Sequence, residues 1–276
     1  FLKKLFHRIS ICVECGHVQV SPLFSEEELE KINQQFFSSL HMNRSKQELF
    51  KDQMKLSKLD KSLSDLISEG MNILDVGAGE AWAMDYFQQK KCNYFAIEAV
   101  PSLADLIKAR GGGVIGKNLF ENLDEYSSFF DIIIFRHVIE HLLNPKLALK
   151  TLCDLLRKDG CIYLALPNAM KPPKNNGIGK GFRTSFIRPV HISYFHPKNV
   201  LRIANYSGLS PAKLDISGET VMLLKHSIGK QQNYMNHYAK QRKVFLSTAK
   251  GTFFFDYIRI LKDIPKVLIR RFLNIN

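Results

Sequence analysis

The sequence predicts an α/β fold with a doubly wound, mostly parallel sheet, a closing antiparallel strand pair, a small N-terminal knuckle and a helical C-terminal tail. Two observations carry this prediction. An apolar run at residues 73–76 leads directly into closely spaced glycines, and strand-length apolar runs then alternate with segments of helical spacing as far as residue 166. With 276 residues, the chain has room for one main domain with small appendages.

Two helices are predicted before the sheet. Ser25 and Glu28 have the spacing of a capping box, which begins a helix of about fifteen residues. A second helix is predicted over residues 46–69, with Gly70 ending it. We expect both helices to cap the ligand-binding cleft of the domain.

The alternating elements of the sheet follow in order. Short apolar runs predict strands, and the amphipathic segments between them predict the crossover helices of parallel strands. The predicted strands cover residues 72–76, 94–98, 113–116, 131–136 and 161–166, and the helices cover residues 81–91, 102–110, 145–158 and 197–207. A closing antiparallel pair is predicted at residues 214–216 and 220–224.

The glycines after the first of these strands predict a nucleotide-cofactor site. Gly77 and Gly79 allow a tight turn and a close approach of backbone to ligand, and the next helix would point its first N–H groups at the ligand. Glu98 stands at the carboxyl end of the following strand, where a carboxylate can accept hydrogen bonds from ribose hydroxyls. The alternative is a strand-to-helix turn that binds nothing.

The spacing of the glycines distinguishes two kinds of cofactor. A dinucleotide fingerprint has a third glycine where this chain has Trp82, which disfavours a nicotinamide-dependent oxidoreductase. The residues instead match D-x-G-x-G-x-[GA], with Ala81 last, and here the chain resembles the class I S-adenosylmethionine-dependent methyltransferases. The resemblance implies a Rossmann-like methyltransferase fold and S-adenosylmethionine as cofactor. By that resemblance Asp75, Gly77 and Gly79 hold its methionine part and Glu98 holds its ribose.

The third cofactor contact implied by the resemblance falls at Asn118. Relatives commonly carry an acid near the adenine ring at this point, after the strand at residues 113–116. Asn118 can still donate and accept hydrogen bonds at an adenine edge. An ordinary surface turn is the alternative.

A second motif, DIIIFRHVIEHLLNP at residues 131–145, resembles a run found in small-molecule methyltransferases. It implies that Arg136 and His137 lie beside the sulfonium of the cofactor. His141 is a candidate general base, because the pKa of histidine is ordinarily near neutrality. Alternatively, His141 and its neighbour Glu140 only hold the loop through hydrogen bonds.

Further along the chain, residues 189–195 resemble the P-x-H-x-x-[YF]-F element of the same subgroup. It implies that His191 and Tyr194 face the acceptor pocket from the side opposite His141. We expect His191 to come from a mobile loop, because a long polar segment precedes it. His191 is the second candidate base.

The N-terminal segment contains a metal-knuckle pattern. Cys12 and Cys15 have the C-x-x-C spacing of half a zinc ribbon, and zinc in structural sites has four ligands. His7 and His17 could complete the set, or a second pair of ligands could come from residues upstream of Phe1. A hairpin with two unliganded thiols is the alternative. The C-x-x-C-G-H pattern resembles the lead-in of a subgroup that includes deoxysugar C-methyltransferases, in which a zinc-binding domain precedes the cofactor domain.

Charge is concentrated in the tail. Of the net charge of +13, residues 225–276 contribute eleven Lys or Arg against two Asp. Residues 254–272 have the spacing of a basic amphipathic helix, which favours packing on its own domain or on a second copy in a homo-oligomer. Contact with a membrane surface is the alternative, and nucleic acid is not favoured.

The cysteines and the hydropathy indicate the compartment. Cys92, Cys153 and Cys161 are scattered through apolar segments, which is not the spacing of a disulfide framework. The chain has no apolar run long enough to span a bilayer. We therefore expect the protein to lie in the reducing cytoplasm. Peripheral attachment to a membrane is the alternative.

Together these patterns predict four regions and one activity. The regions are a partial zinc-ribbon-like knuckle (residues 1–24), a helical cap (25–70), an S-adenosylmethionine-binding domain (71–226) and a basic amphipathic tail (227–276). The predicted activity is methyl transfer from S-adenosylmethionine to a small polar metabolite, with a nucleotide-linked sugar as the leading candidate. A catalytically degenerate binding protein of the same fold is the alternative.

Overall fold

A seven-stranded sheet forms the centre of the protein. The computed structural model describes residues 8–21, 23–41, 61–170, 190–217, 219–227, 239–240 and 242–243. The strands are β1 (Arg8–Ile11), β2 (Val18–Ser21), β3 (Asn72–Val76), β4 (Asn93–Ile97), β5 (Gly113–Gly116), β6 (Phe130–Arg136), β7 (Leu156–Leu166), β8 (Ser193–Tyr194), β9 (Leu209–Asp215) and β10 (Thr220–His226). The helices are α1 (Glu26–His41), α2 (Lys61–Ser64), α3 (Met84–Gln89), α4 (Pro101–Ala109), α5 (Pro145–Leu155) and α6 (Pro197–Tyr206), with 3-10 turns at Asp124–Tyr126 and Ile139–His141.

The order of the strands confirms the predicted fold class. The large sheet runs β5-β4-β3-β6-β7-β10-β9, and the five strands from β5 to β7 pair in parallel. The last two strands are antiparallel and close the sheet as predicted. The chain winds outward from β3 to one side and from β6 to the other. The topological switch point therefore lies between β3 and β6, where open α/β sheets bind their ligands.

Apolar layers cover both faces of the sheet, as parallel strands require. Successive residues of β3 point to opposite faces, so Leu74 packs with α5 and α6 while Ile73 packs with α3 and α4. Both side chains are completely buried. The crossover helices thus hold the carboxyl ends of β3 and β6 in fixed positions.

A second, three-stranded sheet has the order β1-β2-β8. It packs with α1 around a separate apolar cluster that includes Val18, Leu29 and Ile192. Helix α1 begins with the predicted capping box, because Ser25 N–H donates to Glu28 Oε2 at 2.9 Å and Glu28 N–H donates to Ser25 Oγ at 3.2 Å. Because β2 pairs with β8, the N-terminal hairpin is joined to the segment that carries His191 and Tyr194.

Several predicted boundaries are wrong. The second helix ends at Ser64, short of residue 69, and its predicted part at residues 46–60 lies outside the described residues. Helix α3 begins at Met84, three residues late, because residues 77–81 remain in a loop. Helix α5 ends at Leu155 because Leu156 already pairs with Phe130 of β6.

The final strands are longer than predicted, with β9 running from Leu209 to Asp215 and β10 from Thr220 to His226. The amphipathic helix predicted at residues 254–272 lies outside the described residues, as does His7. Among the helices that the structure describes, none combines the length and the hydropathy needed to cross a bilayer. All five cysteines lie in described segments, and none of them forms a disulfide there.

Candidate active site at the switch point

The loop after β3 has the backbone conformation that its glycines predict. Gly77 and Gly79 have φ angles of 67° and 56°, and Ala81 has a φ of 49°. Ala81 thus keeps the left-handed conformation at the position where the family pattern usually has a third glycine. A Cβ added to Gly77 would lie 2.7 Å from a methyl carbon of Val138. The loop after β3 and the loop after β6 therefore pack together too closely for a side chain at position 77.

Glu98 holds this loop against the next unit of the sheet. Its Oε2 accepts a hydrogen bond from Gly79 N–H at 2.7 Å, and its Oε1 accepts one from Val100 N–H at 2.8 Å. The side chain is only 6% exposed. A buried carboxylate at the carboxyl end of β4 is thus bonded both to the glycine loop and to the N-cap residue of α4.

Asp75 lies within β3, below the loop. It is buried, and its Oδ2 accepts a hydrogen bond from Tyr94 Oη at 2.6 Å. Burial raises the pKa of Asp75 to about 7, against the opposing effect of the Tyr94 hydrogen bond and with a further contribution from the charge of Glu98. Asp75 therefore connects the central strand to β4.

Arg136 emerges at the end of β6 and reaches across to the loop. Its guanidinium carbon lies 4.9 Å from the ring centre of Trp82, which is a cation–π contact. Its Nε is buried and makes no hydrogen bond within the described residues. Trp82 stands where a dinucleotide-binding motif has its third glycine, and its ring thus packs against the Arg136 cation at the switch point.

His137 follows in a strained backbone conformation, with a φ of 53°. Its Nδ1 lies 3.4 Å from Glu140 Oε1 and its Nε2 lies 3.2 Å from Glu219 Oε1. Burial lowers the pKa of His137, but the two carboxylates outweigh burial and raise it to about 9. His137 is therefore a cation that bridges the loop after β6 to the β9–β10 hairpin.

The three predicted catalytic residues lie together beyond His137. The Nδ1 of His141 is 2.7 Å from the carbonyl oxygen of Val190. The rings of His141 and His191 are 4.9 Å apart, and the ring of Tyr194 lies 6.3 Å from that of His191. All three side chains are buried. The expectation that His191 faces His141 from the opposite side is therefore wrong, because the two rings are neighbours.

Backbone hydrogen bonds hold these residues in place. Ile192 N–H donates to the carbonyl of Glu140 at 3.0 Å, and Val20 N–H donates to the carbonyl of Ile192 at 2.9 Å. Val18 of β2 is the register partner of Tyr194. His191 is thus fixed between the loop after β6 and the small sheet, and the expectation of a mobile position is not met.

Asn118 lies at the surface after β5. Its side-chain oxygen accepts a hydrogen bond from Phe120 N–H at 3.0 Å, which is the geometry of an Asx turn. This bond supports the turn interpretation. Contact with an adenine ring remains a prediction.

The knuckle forms a tight turn at Gly16, which has a φ of 73°. Gly16 N–H donates to the carbonyl of Cys12 at 2.8 Å, and Cys12 N–H donates to the carbonyl of His17 at 2.8 Å. The Nε2 of His17 lies 3.4 Å from Ser193 Oγ, and burial lowers the pKa of this histidine to about 4. Among the described side chains, no group of three or more metal-ligating residues includes Cys12 or Cys15.

Two contacts in the site were not predicted from the sequence. Arg110 donates from its guanidinium to the carbonyl of Glu80 at 2.9 Å and contacts Asp85 at 2.6 Å, which ties the end of α4 to the segment before α3. Glu219 reaches His137 from a hairpin more than eighty residues away in sequence. Neither residue belongs to a recognisable motif, so no sequence signal could have identified it.

The fold and the switch-point loops define an α/β protein of the nucleotide-cofactor class. Residues 49–214 match the family model described as methyltransferase domain, and the chain belongs to that family. This membership confirms the S-adenosylmethionine-dependent methyltransferase class that the motifs predicted, and the nicotinamide-dependent alternative is not supported. No curated protein matches the chain.

Solved structures share the fold at low sequence identity. The 1,6-didemethyltoxoflavin-N1-methyltransferase of Burkholderia thailandensis, whose structure holds 1,6-didemethyltoxoflavin and S-adenosylhomocysteine, matches with a TM-score of 0.55 at 15% identity, over 80% of this chain and 99% of that one. An S-adenosylmethionine-dependent methyltransferase of Mesorhizobium loti matches with a TM-score of 0.50 at 11% identity, over 60% and 96% of the two chains. The [4+2]-cyclase SpnF matches with a TM-score of 0.50 at 11% identity, over 62% and 82%.

Proposed function

We propose that this protein transfers a methyl group from S-adenosylmethionine to a small polar metabolite, and that the transfer takes place between the glycine loop and the cluster of Glu140, His141 and His191. The observation that carries the proposal is the position of that cluster. It follows β6 directly, and β6 lies beside β3 at the switch point of the sheet.

The residues around the loop suit the cofactor. The carboxylate of Glu98 is buried within 2.7 Å of Gly79 N–H, where it can accept hydrogen bonds from ribose hydroxyls. The backbone at Gly77 and Gly79 brings no side chain between the loop and the ligand. Arg136 packs on Trp82, just after this loop, and Arg136 and His137 would line the methionine end. The cofactor supplies an activated methyl group on a sulfonium, and the protein holds and orients it.

The cluster supplies a proton acceptor. The carbonyl of Val190 can only accept, so its contact with His141 assigns the hydrogen to Nδ1 and leaves the lone pair of the neutral ring on Nε2. Glu140 Oε1 lies 4.0 Å from that Nε2. A carboxylate at this distance stabilises the imidazolium that forms when Nε2 takes a proton from the acceptor.

The acceptor is proposed on chemical grounds. The side chains of Glu140, His141 and His191 are charged or polar, and such a surface suits a hydroxylated metabolite better than an apolar one. A nucleotide-linked sugar is the first candidate, because the sequence resembles that of deoxysugar C-methyltransferases. His191 and Tyr194 would contact this acceptor.

The test is a turnover assay with methyl-labelled S-adenosylmethionine and a panel of nucleotide sugars, analysed by mass spectrometry. We expect one acceptor to gain a single methyl group as S-adenosylhomocysteine accumulates. Binding of S-adenosylhomocysteine without methylation of any polar acceptor would contradict the proposal. That result would favour a binding protein with this fold.

A further inference from the structure

Three metal-ligating side chains converge in the same cluster. One ligand atom each from Glu140, His141 and His191 lies within 4.8 Å of the other two. The residues come from two separate segments, the 3-10 turn after β6 and the segment just before β8. Two imidazoles and one carboxylate form a donor set that suits divalent transition metals.

The geometry is held by the backbone. The hydrogen bond from Ile192 N–H to the carbonyl of Glu140 joins the two segments at 3.0 Å. The contact between His141 Nδ1 and the carbonyl of Val190 fixes the orientation of the ring and directs Nε2 toward the cluster. Histidine ligands of metals commonly have a second-shell partner of this kind on the other ring nitrogen. The backbone therefore holds the three candidate ligands close to one another.

Glu140 provides an independent observation. Only 2% of the residue is exposed. Its Oε1 pairs with the His137 cation at 3.4 Å and lies 4.0 Å from His141 Nε2, whereas its Oε2 accepts no hydrogen bond within the described residues. Burial of a carboxylate oxygen without a hydrogen bond is costly, and a cation held between Glu140 and the two imidazoles would offset that cost.

We propose that Glu140, His141 and His191 bind one divalent transition-metal ion, such as Mn²⁺, Fe²⁺, Co²⁺ or Zn²⁺. Three protein ligands leave coordination positions for water or for an oxygen of the acceptor. If the proposed function holds, the ion would orient the acceptor and lower the pKa of its bound hydroxyl. His141 would then serve as a ligand through Nε2, and the proton of the bound hydroxyl would pass to solvent water instead of to this nitrogen.

The test uses Co²⁺ as the probe, in the full chain with Cys12→Ser and Cys15→Ser so that the knuckle thiols cannot bind it. Visible absorption and elemental analysis measure the stoichiometry, and calorimetry measures affinity. We expect one Co²⁺ per chain. Glu140→Gln and His191→Asn should each weaken binding by about a hundredfold, because each removes a direct ligand. His226→Asn, which changes a histidine outside the cluster, should bind Co²⁺ with the parent affinity.

Titration of the same preparations with S-adenosylhomocysteine separates the two proposals. Retained S-adenosylhomocysteine binding in Glu140→Gln shows that the variant is folded and that its loss of Co²⁺ is local. Failure of the parent protein to bind Co²⁺ stoichiometrically, or unchanged affinity in both cluster variants, would overturn the metal site while leaving the cofactor site intact. Co²⁺ bound only when Cys12 and Cys15 are present would also overturn it, since the ion then belongs to the knuckle.

Discussion

Replacement of Glu98 by alanine should damage both the cofactor site and the fold around it. The carboxylate accepts hydrogen bonds from Gly79 N–H and Val100 N–H, and the side chain is 6% exposed. Removing it leaves two backbone donors without their partner. Each such loss costs roughly 1 to 3 kcal/mol when water cannot replace the acceptor. We therefore expect the free energy of unfolding to fall by about 2 kcal/mol or more.

The effect on the cofactor follows from the same carboxylate. A hydrogen bond to a charged group contributes about 1.5 to 3 kcal/mol, and each 1.4 kcal/mol corresponds to a tenfold change in affinity. Glu98→Ala should therefore weaken S-adenosylhomocysteine binding by roughly tenfold to a hundredfold. Glu98→Gln should fall between the two proteins, because it keeps one oxygen acceptor and places an amide N–H₂ against the other backbone donor.

Calorimetry with S-adenosylhomocysteine measures the affinity, and urea unfolding measures the stability. Glu69→Ala is the matched control, because Glu69 is exposed and contacts only Lys91, at 3.1 Å, among the ion pairs of the described residues. A surface pair of this kind contributes about 0 to 1 kcal/mol. Folded Glu98→Ala with the affinity of the parent protein would show that this carboxylate does not hold the ribose, and the assignment of the site would fail.

Three further predictions address the loop, the buried acid and the base. Ala81→Gly should change the free energy of unfolding by less than about 1 kcal/mol, because relief of the left-handed backbone offsets the lost methyl contact. Ala81→Val should lower the free energy of unfolding by roughly 2 kcal/mol or more, as measured in urea. Equal stability of the two variants would refute the proposed backbone strain at this position. The pKa of Asp75 is about 7 in the folded protein and ordinarily 3.8, so between these two pH values the native state binds one more proton than the unfolded state does. Stability should therefore fall as pH rises from 4 to 7, by up to roughly 4 kcal/mol relative to Asp75→Asn, and parallel pH profiles would contradict this. His141→Ala should keep S-adenosylhomocysteine binding and lose kcat by about a hundredfold or more, whereas His191→Ala should mainly raise the acceptor KM; the reverse pattern in steady-state kinetics would assign the base to His191.

The elements predicted correctly are those with strong local patterns. Strand β3 covers the predicted residues because its apolar run is buried on both faces. The capping box of α1 was identified from Ser25 and Glu28, which bond to each other within one turn. Such elements depend on neighbours in sequence, so one chain is enough to identify them.

The errors arise where distant parts of the chain compete with local propensity. Helix α5 stops early because Leu156 pairs with Phe130 of β6 and Arg157 reaches Asp131 at 2.9 Å. The helical spacing after Gly79 continues back to Ala81, but the left-handed backbone at that residue delays the helix. Neither effect can be seen in a helical-spacing pattern.

The site was predicted in its residues but not in its arrangement. His141 and His191 were both identified, yet their contact depends on the hydrogen bond between the backbone of Ile192 and that of Glu140, fifty-two residues apart. The role of Glu219 depends likewise on how the β9–β10 hairpin closes the sheet. Long-range pairing of this kind determines the chemistry of the site, because it decides which charges meet.

A crystal structure of the protein with S-adenosylhomocysteine would show where the cofactor binds. We expect the ribose hydroxyls to lie within hydrogen-bond distance of the Glu98 carboxylate and the sulfur to face the cluster of Glu140, His141 and His191. A ligand bound away from the glycine loop, or bound there with its sulfur directed away from that cluster, would contradict this expectation.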